Sequence, residues 1–297
     1  MVKPTSELVC IGIADIRIGI SSSDPNLRIG LDEDMQAFSA PLDSPDLSLE
    51  TYWRTLEDAG CGGQKLFDSG GTWKLYFKND AYWFYCTAPA FGTIPYKVAR
   101  IAHDFSNGQV FLHRPFFEIE RVLYPLQYPL DELLLLNLLS RGRGVEVHAC
   151  GIVDSTGDGY LFVGHSGSGK TTMARLWEKE PGVTILSDDR VILKHEQGQI
   201  WMYGTPWHGE AELASASRAP LEHIFFIRHG QRNSLKAKIG AESAALLFSS
   251  SFPVFYSPEA LEFTIEFYGK VADKVPCSEL SVVPNPEIID FIRRQQA

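Results

Sequence analysis

The stretch GHSGSGKTT, residues 164–172, lies just past the middle of the chain and decides how the second half is expected to fold. Gly164, four further residues and then Gly169-Lys170-Thr171 match the pattern G-x-x-x-x-G-K-[ST] in full. In this pattern the glycines turn backbone N–H groups toward phosphate oxygens, the lysine reaches the β- and γ-phosphates, and the threonine hydroxyl ligates Mg²⁺. An apolar strand, GYLFV, precedes the stretch and a helix, KTTMARLWEKE, follows it, as the motif requires. The sequence therefore predicts a site for nucleotide phosphates.

Two carboxylates follow at the end of a short buried strand, in VTILSDDR, residues 183–190. Asp188 and Asp189 stand where a P-loop protein carries its metal-binding acid, with a second acid left for other work. Adjacent residues of an extended chain point to opposite sides, so the two are expected to have separate tasks. Aspartate is also common in plain strand-terminal turns. We predict catalytic roles for both, and a Mg²⁺ site formed by Thr171 and Asp189.

The residues expected to bind the nucleotide, ATP, comprise the glycine-rich loop and one later carboxylate: Gly164, Ser166, Gly167, Ser168, Gly169, Lys170, Thr171, Thr172 and Glu210. Glu210 ends GTPWHGE, residues 204–210, where glycine and proline favour a loop. That loop is either anchored by its aromatic residue or supplies a carboxylate to the site. Arg218 and Arg228 are candidates for contacting phosphate, although each taken singly reads better as a surface charge.

His148 lies in VEVHACGIVD, a strand that is otherwise apolar. A lone histidine in such a strand is more often a satisfied core residue than a catalytic one. From the residues alone, its role stays open.

Composition limits the class of protein. The chain has 297 residues, of which 44% are hydrophobic, and a net charge of −10, so a globular protein that does not bind nucleic acid is expected. Its five cysteines include no Cys-x-x-Cys pair, which suits a reducing compartment. No apolar run is long enough to span a bilayer. We expect a cytoplasmic protein without a membrane partner, which could form a homo-oligomer.

The chain is expected to form two domains of overall α/β class, a β-rich domain over residues 1–127 and a P-loop domain with a mixed sheet over residues 128–297. In the first, we expect a bulge or bend near Ala14-Asp15, a surface loop over residues 21–48, and hairpins turning at residues 78–80 and at Asn107-Gly108. The second is expected to begin with a helix in residues 128–144. Its later strands include a hairpin about Gln197-Gly198. The aromatic residues of the first domain either pack in its core or face outward and recognise an acceptor.

Taken together, VHACGIVD, GYLFVGHSGSGKTT, ILSDDRVIL and GTPWHGE resemble the catalytic domain of HPr kinase/phosphorylase and its relatives, whose P-loop fold is shared with phosphoenolpyruvate carboxykinases. The resemblance covers residues 145–210 and, within the wider family, is greatest to HPr-kinase-related proteins encoded beside peptide-modification genes. It implies a catalytic role for His148 beside the aspartates, one of which would act as general base on a seryl hydroxyl while the other serves the metal.

Three departures from the bifunctional enzymes stand out. The loop continues Lys170-Thr171-Thr172 instead of Lys-Ser-Glu, the arginine-glutamate signature after the hairpin is replaced by GTPWHGE, and the first half differs from that family's usual N-terminal domain. HPr is therefore not the expected substrate. The prediction is an ATP- and Mg²⁺-dependent kinase acting on a hydroxyl, expected to be a serine of a peptide or protein. The alternative is a nucleotide-dependent binding or switch module with little or no phosphotransfer.

Overall fold

The computed structural model describes residues 7–57, 62–117, 121–165 and 167–296. The chain divides into two compact units, Met1–Leu138 and Leu139–Ala297. Each unit is built on its own mixed sheet, so the fold is of the α/β class. The division falls near the end of the helix Leu130–Leu139, which the sequence analysis assigned to the second domain.

The described part of the first unit contains eight strands and a one-turn helix. They are β1 (Glu7–Ile13), β2 (Ile16–Ser22), α1 (Glu33–Gln36), β3 (Leu47–Arg54), β4 (Gln64–Asp68), β5 (Trp73–Phe77), β6 (Ala81–Cys86), β7 (Lys97–Ala102) and β8 (Asn107–His113). The strands form one sheet in the order β1-β2-β3-β8-β7-β6-β5-β4. The helix α2 (Leu130–Leu139) follows and confirms the helix predicted within residues 128–144.

Two turns of this sheet bear on the predictions. Ala14 and Asp15 form the expected bend and no bulge, because both have positive φ and make a two-residue turn between the paired strands β1 and β2. Asn107 and Gly108, by contrast, form no turn, since they lie within β8 and the chain reverses over residues 103–106. Gly108 is needed for packing: a Cβ there would lie 2.6 Å from the carbonyl oxygen of Arg100.

The segment over residues 21–48, expected to be a surface loop, contributes to the core. Leu27, Ile29, Met35 and Phe38 are all buried, and the segment includes α1. The hairpin between β5 and β6 is confirmed, with Asn79 and Asp80 at positive φ in its turn.

The second unit contains eight strands and four helices among its described residues. They are β9 (Val145–Val153), β10 (Gly159–Val163), α3 (Lys170–Trp177), β11 (Thr184–Ser187), β12 (Arg190–Glu196), β13 (Gln199–Tyr203), β14 (Arg218–His229), β15 (Ser234–Lys238), α4 (Gly240–Ser249), α5 (Pro258–Lys274), β16 (Cys277–Val282) and α6 (Glu287–Gln296). The expected strand–loop–helix unit around the glycine-rich stretch is present, as is the hairpin with Gln197 and Gly198 at positive φ.

The sheet of the second unit runs β10-β9-β12-β13-β14-β16-β15, with β11 paired to β9 and a further pairing of β10 with β14. β10, β14 and β16 are parallel to one another, so their carboxyl ends meet at one edge. The glycine-rich loop leaves β10 at that edge, which is where ligands bind in parallel α/β sheets.

Helices cover both faces of this sheet. Leu161 and Val163 of β10 pack in a core with α4 and α5, whereas Tyr160 and Phe162 pack with α3 and α6. This alternation along a fully buried strand fixes the strand's rotation, and with it the direction of the loop that follows.

Within the described ranges, no helix is long and apolar enough to cross a membrane. Cys10, Cys86, Cys150 and Cys277 are buried free thiols. Cys61 lies outside the described residues.

Candidate active site

The loop between β10 and α3 turns through two glycines. Gly167 and Gly169 both have positive φ, a conformation that favours glycine, and Gly169 occupies the N-cap of α3. The amide of Ser168 donates to the carbonyl of His165 at 3.0 Å, which closes the loop on itself. The backbone is therefore turned at the helix N-terminus, where anions are stabilised. Ser166, expected to contact the nucleotide, lies outside the described residues.

Lys170 folds back into this loop. Its Nζ donates to the carbonyl oxygens of Gly164 at 2.8 Å and His165 at 3.3 Å, and the residue is only 6% exposed. Burial lowers the pKa of Lys170, while the charges of Asp189 and Asp188 act against that shift. The ammonium thus sits inside the loop and under the influence of both aspartates.

Ser168 and Gly164 show how tightly the loop is built. The Ser168 Oγ is buried with no hydrogen-bond partner among the described residues, and a Cβ on Gly164 would lie 2.3 Å from it. A buried hydroxyl without a partner costs stability, so a ligand oxygen accepting from it would be favourable. The loop fits phosphate, with Lys170 and the helix N-terminus as its positive groups.

Asp189 contacts His148, and its charge acts on Lys170 of the glycine-rich loop. His148 Nε2 lies 2.9 Å from Asp189 Oδ1, and the two side chains are 30% and 22% exposed. Burial raises the pKa of Asp189, but the hydrogen bond from His148 and the charges of Arg190, His148 and Lys170 outweigh it, so the pKa lies below its ordinary value. Asp189 is therefore ionised at neutral pH and partly open to solvent.

Arg190 holds the other oxygen of the same carboxylate, through Nη1 to Asp189 Oδ2. Its Nε lies 3.7 Å from Oε1 of Glu146, a carboxylate with no exposed side-chain surface, and its guanidinium lies 5.0 Å from the centre of the Phe252 ring. Arg190 and His148 are direct partners in the pairing of β12 with β9. The Asp189 carboxylate is thus gripped by two side chains that the sheet register places side by side.

Asp188 has a different environment, as expected for its opposite orientation. It is 1% exposed, and its two oxygens accept from the backbone amides of Gly209 at 2.8 Å and Ala211 at 2.9 Å. A Cβ on Gly209 would lie 2.8 Å from Asp188 Oδ2, so this approach requires glycine. Asp188 anchors the segment that carries Glu210, and its carboxylate is turned to backbone donors.

Glu210 is exposed, and its carbonyl oxygen accepts from Nη2 of Arg175 in α3 at 3.1 Å. The loop that carries it is thereby tied to the helix of the phosphate-binding loop. Trp207 in the same loop is buried, so the aromatic anchor exists alongside the carboxylate. Thr171 is half-buried and Thr172 exposed on the first turn of α3.

Arg218 and Arg228 are engaged elsewhere. Arg218 contacts Glu196 at 3.3 Å and Tyr203 Oη at 2.7 Å, and Arg228 pairs with Glu279 at 2.8 Å. Both arginines are thus partly exposed surface charges in ion pairs, as the second of the two interpretations expected.

A small hollow adjoins the loop at the shared edge of the parallel strands. Its lining includes Thr172 and Met173 of α3, Ile227 and His229 of β14, and Val282 at the end of β16. His229 Nε2 lies 2.9 Å from the carbonyl oxygen of Gly167, so the hollow and the loop are directly connected.

Sequence reasoning missed Arg190, Glu146 and Phe252. Arg190 directly follows the two aspartates, and that adjacency was a usable signal. Phe252 carried none, because its approach depends on the bridge between Val147 and Ser251, which no local pattern predicts.

The described residues contain no cluster of three or more His, Cys, Asp or Glu side chains suited to a metal ion. Magnesium at phosphate sites is commonly held by one or two carboxylates together with substrate phosphates and water. Thr171 and Asp189 as Mg²⁺ ligands stay a prediction.

Comparison with known proteins gives little beyond this geometry. No family model matches the chain, and no curated protein matches it. Among solved structures, the Hpr(Ser) kinase/phosphatase from Coxiella burnetii is similar at 14% sequence identity and a TM-score of 0.31, over 51% of this chain and 95% of that chain. At that TM-score the similarity bears on neither the site nor the reaction.

Proposed function

We propose that the second unit is an ATP- and Mg²⁺-dependent kinase that transfers a phosphoryl group to a hydroxyl, a serine of a peptide or protein. The observation that carries this proposal is the position of Asp189, ionised and held by His148 and Arg190, with its charge acting on Lys170 of the glycine-rich loop. A carboxylate fixed beside a phosphate-binding loop suits transfer to an acceptor. The motif resemblance of residues 145–210 supports the same reaction.

The chain's own residues divide the work between binding and proton transfer. Lys170, the loop amides and Ser168 Oγ would hold phosphate oxygens. Thr171 would hold Mg²⁺ together with phosphate oxygens and water, because proton transfer would occupy Asp189, the second predicted ligand. The hollow lined by Met173, Ile227 and Val282 offers apolar contact for a nucleotide base. Bound MgATP supplies the transferred phosphoryl group and the divalent charge that offsets its oxygens.

Asp189 would accept the proton of the acceptor hydroxyl at a carboxylate oxygen. His148 keeps that carboxylate oriented through its contact with Oδ1, and Arg190 keeps it charged through Oδ2. A carboxylate of lowered pKa is a weak base, which suffices because phosphoryl transfer depends chiefly on positioning and charge stabilisation. Asp188 would act indirectly, because it holds the backbone amides on either side of Glu210.

Labelled ATP separates this function from a nucleotide-dependent switch. The wild-type protein is incubated with γ-labelled ATP, Mg²⁺ and a pool of serine-containing peptides, beside the variants Lys170→Ala and, as control, Lys236→Ala of the exposed strand β15. We expect label in peptide with the wild type and the control, and none with Lys170→Ala. Label released only as inorganic phosphate, at a rate that peptide does not change, would favour the switch.

A further inference from the structure

One face of the sheet in the first unit displays two cross-strand rows of side chains, of which five are aromatic. The register pairs Tyr52 with Phe111, Phe111 with Val98, Val98 with Tyr85 and Tyr85 with Lys74. The second row runs through the next same-facing position of each strand: Glu50, Gln109, Arg100, Trp83, Tyr76 and Lys65. We call the surface formed by Tyr52, Tyr76, Trp83, Tyr85 and Phe111 the aromatic face.

The two faces of these strands differ in burial, although Val98, which lies in the first row, is only 3% exposed. On the opposite face Leu75, Phe84, Ala99 and Val110 are all 0% exposed and form the core. Each residue of the aromatic face is only half-buried. The aromatic rings contact each other within the face: Tyr52 and Phe111 stack with centroids 6.0 Å apart, and Tyr76 meets the edge of Tyr85 at 5.6 Å. Large rings held in this way lose little entropy on binding a partner.

Positive charge borders the rings. Arg54 lies over the Phe111 ring at 5.1 Å, and Arg100 is the cross-strand partner of Trp83. Within the described ranges, neither guanidinium forms an ion pair with a carboxylate. Lys65 and Lys74, by contrast, lie 3.4 Å and 4.0 Å from Asp68. Among the described residues, the aromatic face is thus bordered by two arginines without a carboxylate partner, in a chain whose net charge is −10.

We propose that the aromatic face binds an extended acidic peptide segment that also carries apolar side chains. Carboxylates of the segment would pair with Arg54 and Arg100, and its apolar side chains would pack on the rings. This inference rests on the proposed kinase function, for which the segment is the docking part of the acceptor. It assigns peptide selection to the first unit.

Two other occupants fit the charges less well. A second copy of the chain, docking through the same face, would bring the arginines of both copies into one interface. A nucleic acid would meet a protein of net charge −10, with Glu50 in the second row of the face.

Binding can be measured without any phosphotransfer. The probes are three pools of fluorescent peptides. Each peptide is about ten residues long, which in extended form is enough to cross five strands spaced roughly 4.8 Å apart. The pools share the same aromatic and aliphatic content and differ in their polar positions, which carry Asp/Glu, Asn/Gln or Lys. Fluorescence anisotropy measures the affinity of each pool, and of a single-stranded RNA of similar length, for the wild-type chain. The same measurements are made on four variants: R54Q/R100Q, W83A, K170A and K236Q/K270Q. The last variant removes two exposed charges from the second unit.

The acidic pool is expected to bind most tightly, and R54Q/R100Q to weaken it by about tenfold, because two partly exposed charge pairs are lost. W83A should weaken it by a similar factor, with thermal unfolding showing that the variant is folded. K170A and K236Q/K270Q should bind as the wild type does. Peptide binding is measured without phosphotransfer. The docking proposal and the kinase proposal can therefore fail independently of each other.

Equal affinity for the three pools would overturn the inference. So would an R54Q/R100Q variant that binds the acidic pool as tightly as the wild type does. This second comparison holds even if W83A does not fold. Tighter binding of the RNA would assign the face to nucleic acid instead. Concentration-dependent dimers that the folded W83A variant no longer forms would assign it to a second copy.

Discussion

His148 and Arg190 face each other across β9 and β12, and each holds one oxygen of the Asp189 carboxylate. The contact from His148 Nε2 to Asp189 Oδ1 is 2.9 Å long. Removing either residue leaves the carboxylate free to rotate, although its charge remains. The orientation of Asp189 is thus a property of the sheet register.

His148→Ala is expected to lower the phosphotransfer rate by about 10²-fold, since an orienting contact to a catalytic carboxylate is lost. His148→Gln retains a donor near the same place and should recover part of that loss. ATP affinity, measured by calorimetry, should change in neither variant. A turnover equal to that of the wild type in His148→Ala would show that the contact is merely structural.

Asp188→Asn should mainly lower stability, whereas Asp189→Asn should mainly lower turnover. Asp188→Asn replaces one acceptor of the Gly209 and Ala211 amides by a donor, which costs about 1–3 kcal/mol and several degrees in Tm. Asp189→Asn should change Tm less and abolish most turnover. Asp273→Asn, at an exposed position in α5, serves as control for both.

Thermal unfolding and turnover, measured on the same preparations of each variant, report the two effects side by side. Equal changes of Tm and of turnover in Asp188→Asn and Asp189→Asn would contradict the division of roles.

Much of the second unit follows from local sequence because its signals are local. The glycine-rich loop, its flanking strand and helix, and the turn at Gln197-Gly198 each depend on residues close in the chain. β15 and β16 were missed, since β16 lies parallel to β14 and is stabilised by a partner more than forty residues earlier. Its sequence, CSELSV, has no clear alternation that would predict a strand.

The first unit shows how one residue type can serve two purposes. Asn107-Gly108 has the composition of a turn, yet the glycine is there because the backbone of β7 approaches too closely for a Cβ. Ala14 and Asp15 form a turn of positive φ without glycine or asparagine, so the two residue types do not themselves predict it. Both outcomes depend on contacts across the sheet.

Glu146 and Arg190 should be strongly coupled in stability. Arg190→Met leaves the buried Glu146 carboxylate without its guanidinium contact, at a cost of about 3–5 kcal/mol. Adding Glu146→Gln removes the buried charge and should restore part of the loss. Urea unfolding of both single variants and the double variant gives the coupling free energy. Additive losses would show that the 3.7 Å contact contributes nothing to stability.

The stability of the second unit should depend on pH through Asp154, which anchors α6. Arg293 donates to both of its oxygens, at 2.7 Å and 2.9 Å, and these contacts hold the pKa of Asp154 below its ordinary value. The folded state therefore binds this proton less readily than the unfolded state does. The resulting stabilisation is complete above the ordinary pKa near 3.8 and is lost as the pH falls through the folded value.

Arg293→Gln should accordingly lower the free energy of unfolding at neutral pH. The difference from the wild type should shrink as the pH falls below about 4. Urea unfolding over this pH range measures it, with Arg294→Gln, one residue further along α6, as control. A difference that stays constant down to about pH 3 would mean that Arg293 stabilises α6 by packing on Trp177, which its guanidinium overlies at 5.3 Å.

Phosphopeptide mass spectrometry tests the central claim most directly. The wild-type chain and Asp189→Asn are each incubated with ATP, Mg²⁺ and the same library of serine- and threonine-containing peptides. Transfer to a hydroxyl with Asp189 as proton acceptor predicts phosphoserine in the wild-type sample and its loss, by about 10²-fold or more, in Asp189→Asn. Peptides left unmodified by a wild-type chain that binds ATP, or equal phosphoserine in the two samples, would contradict it.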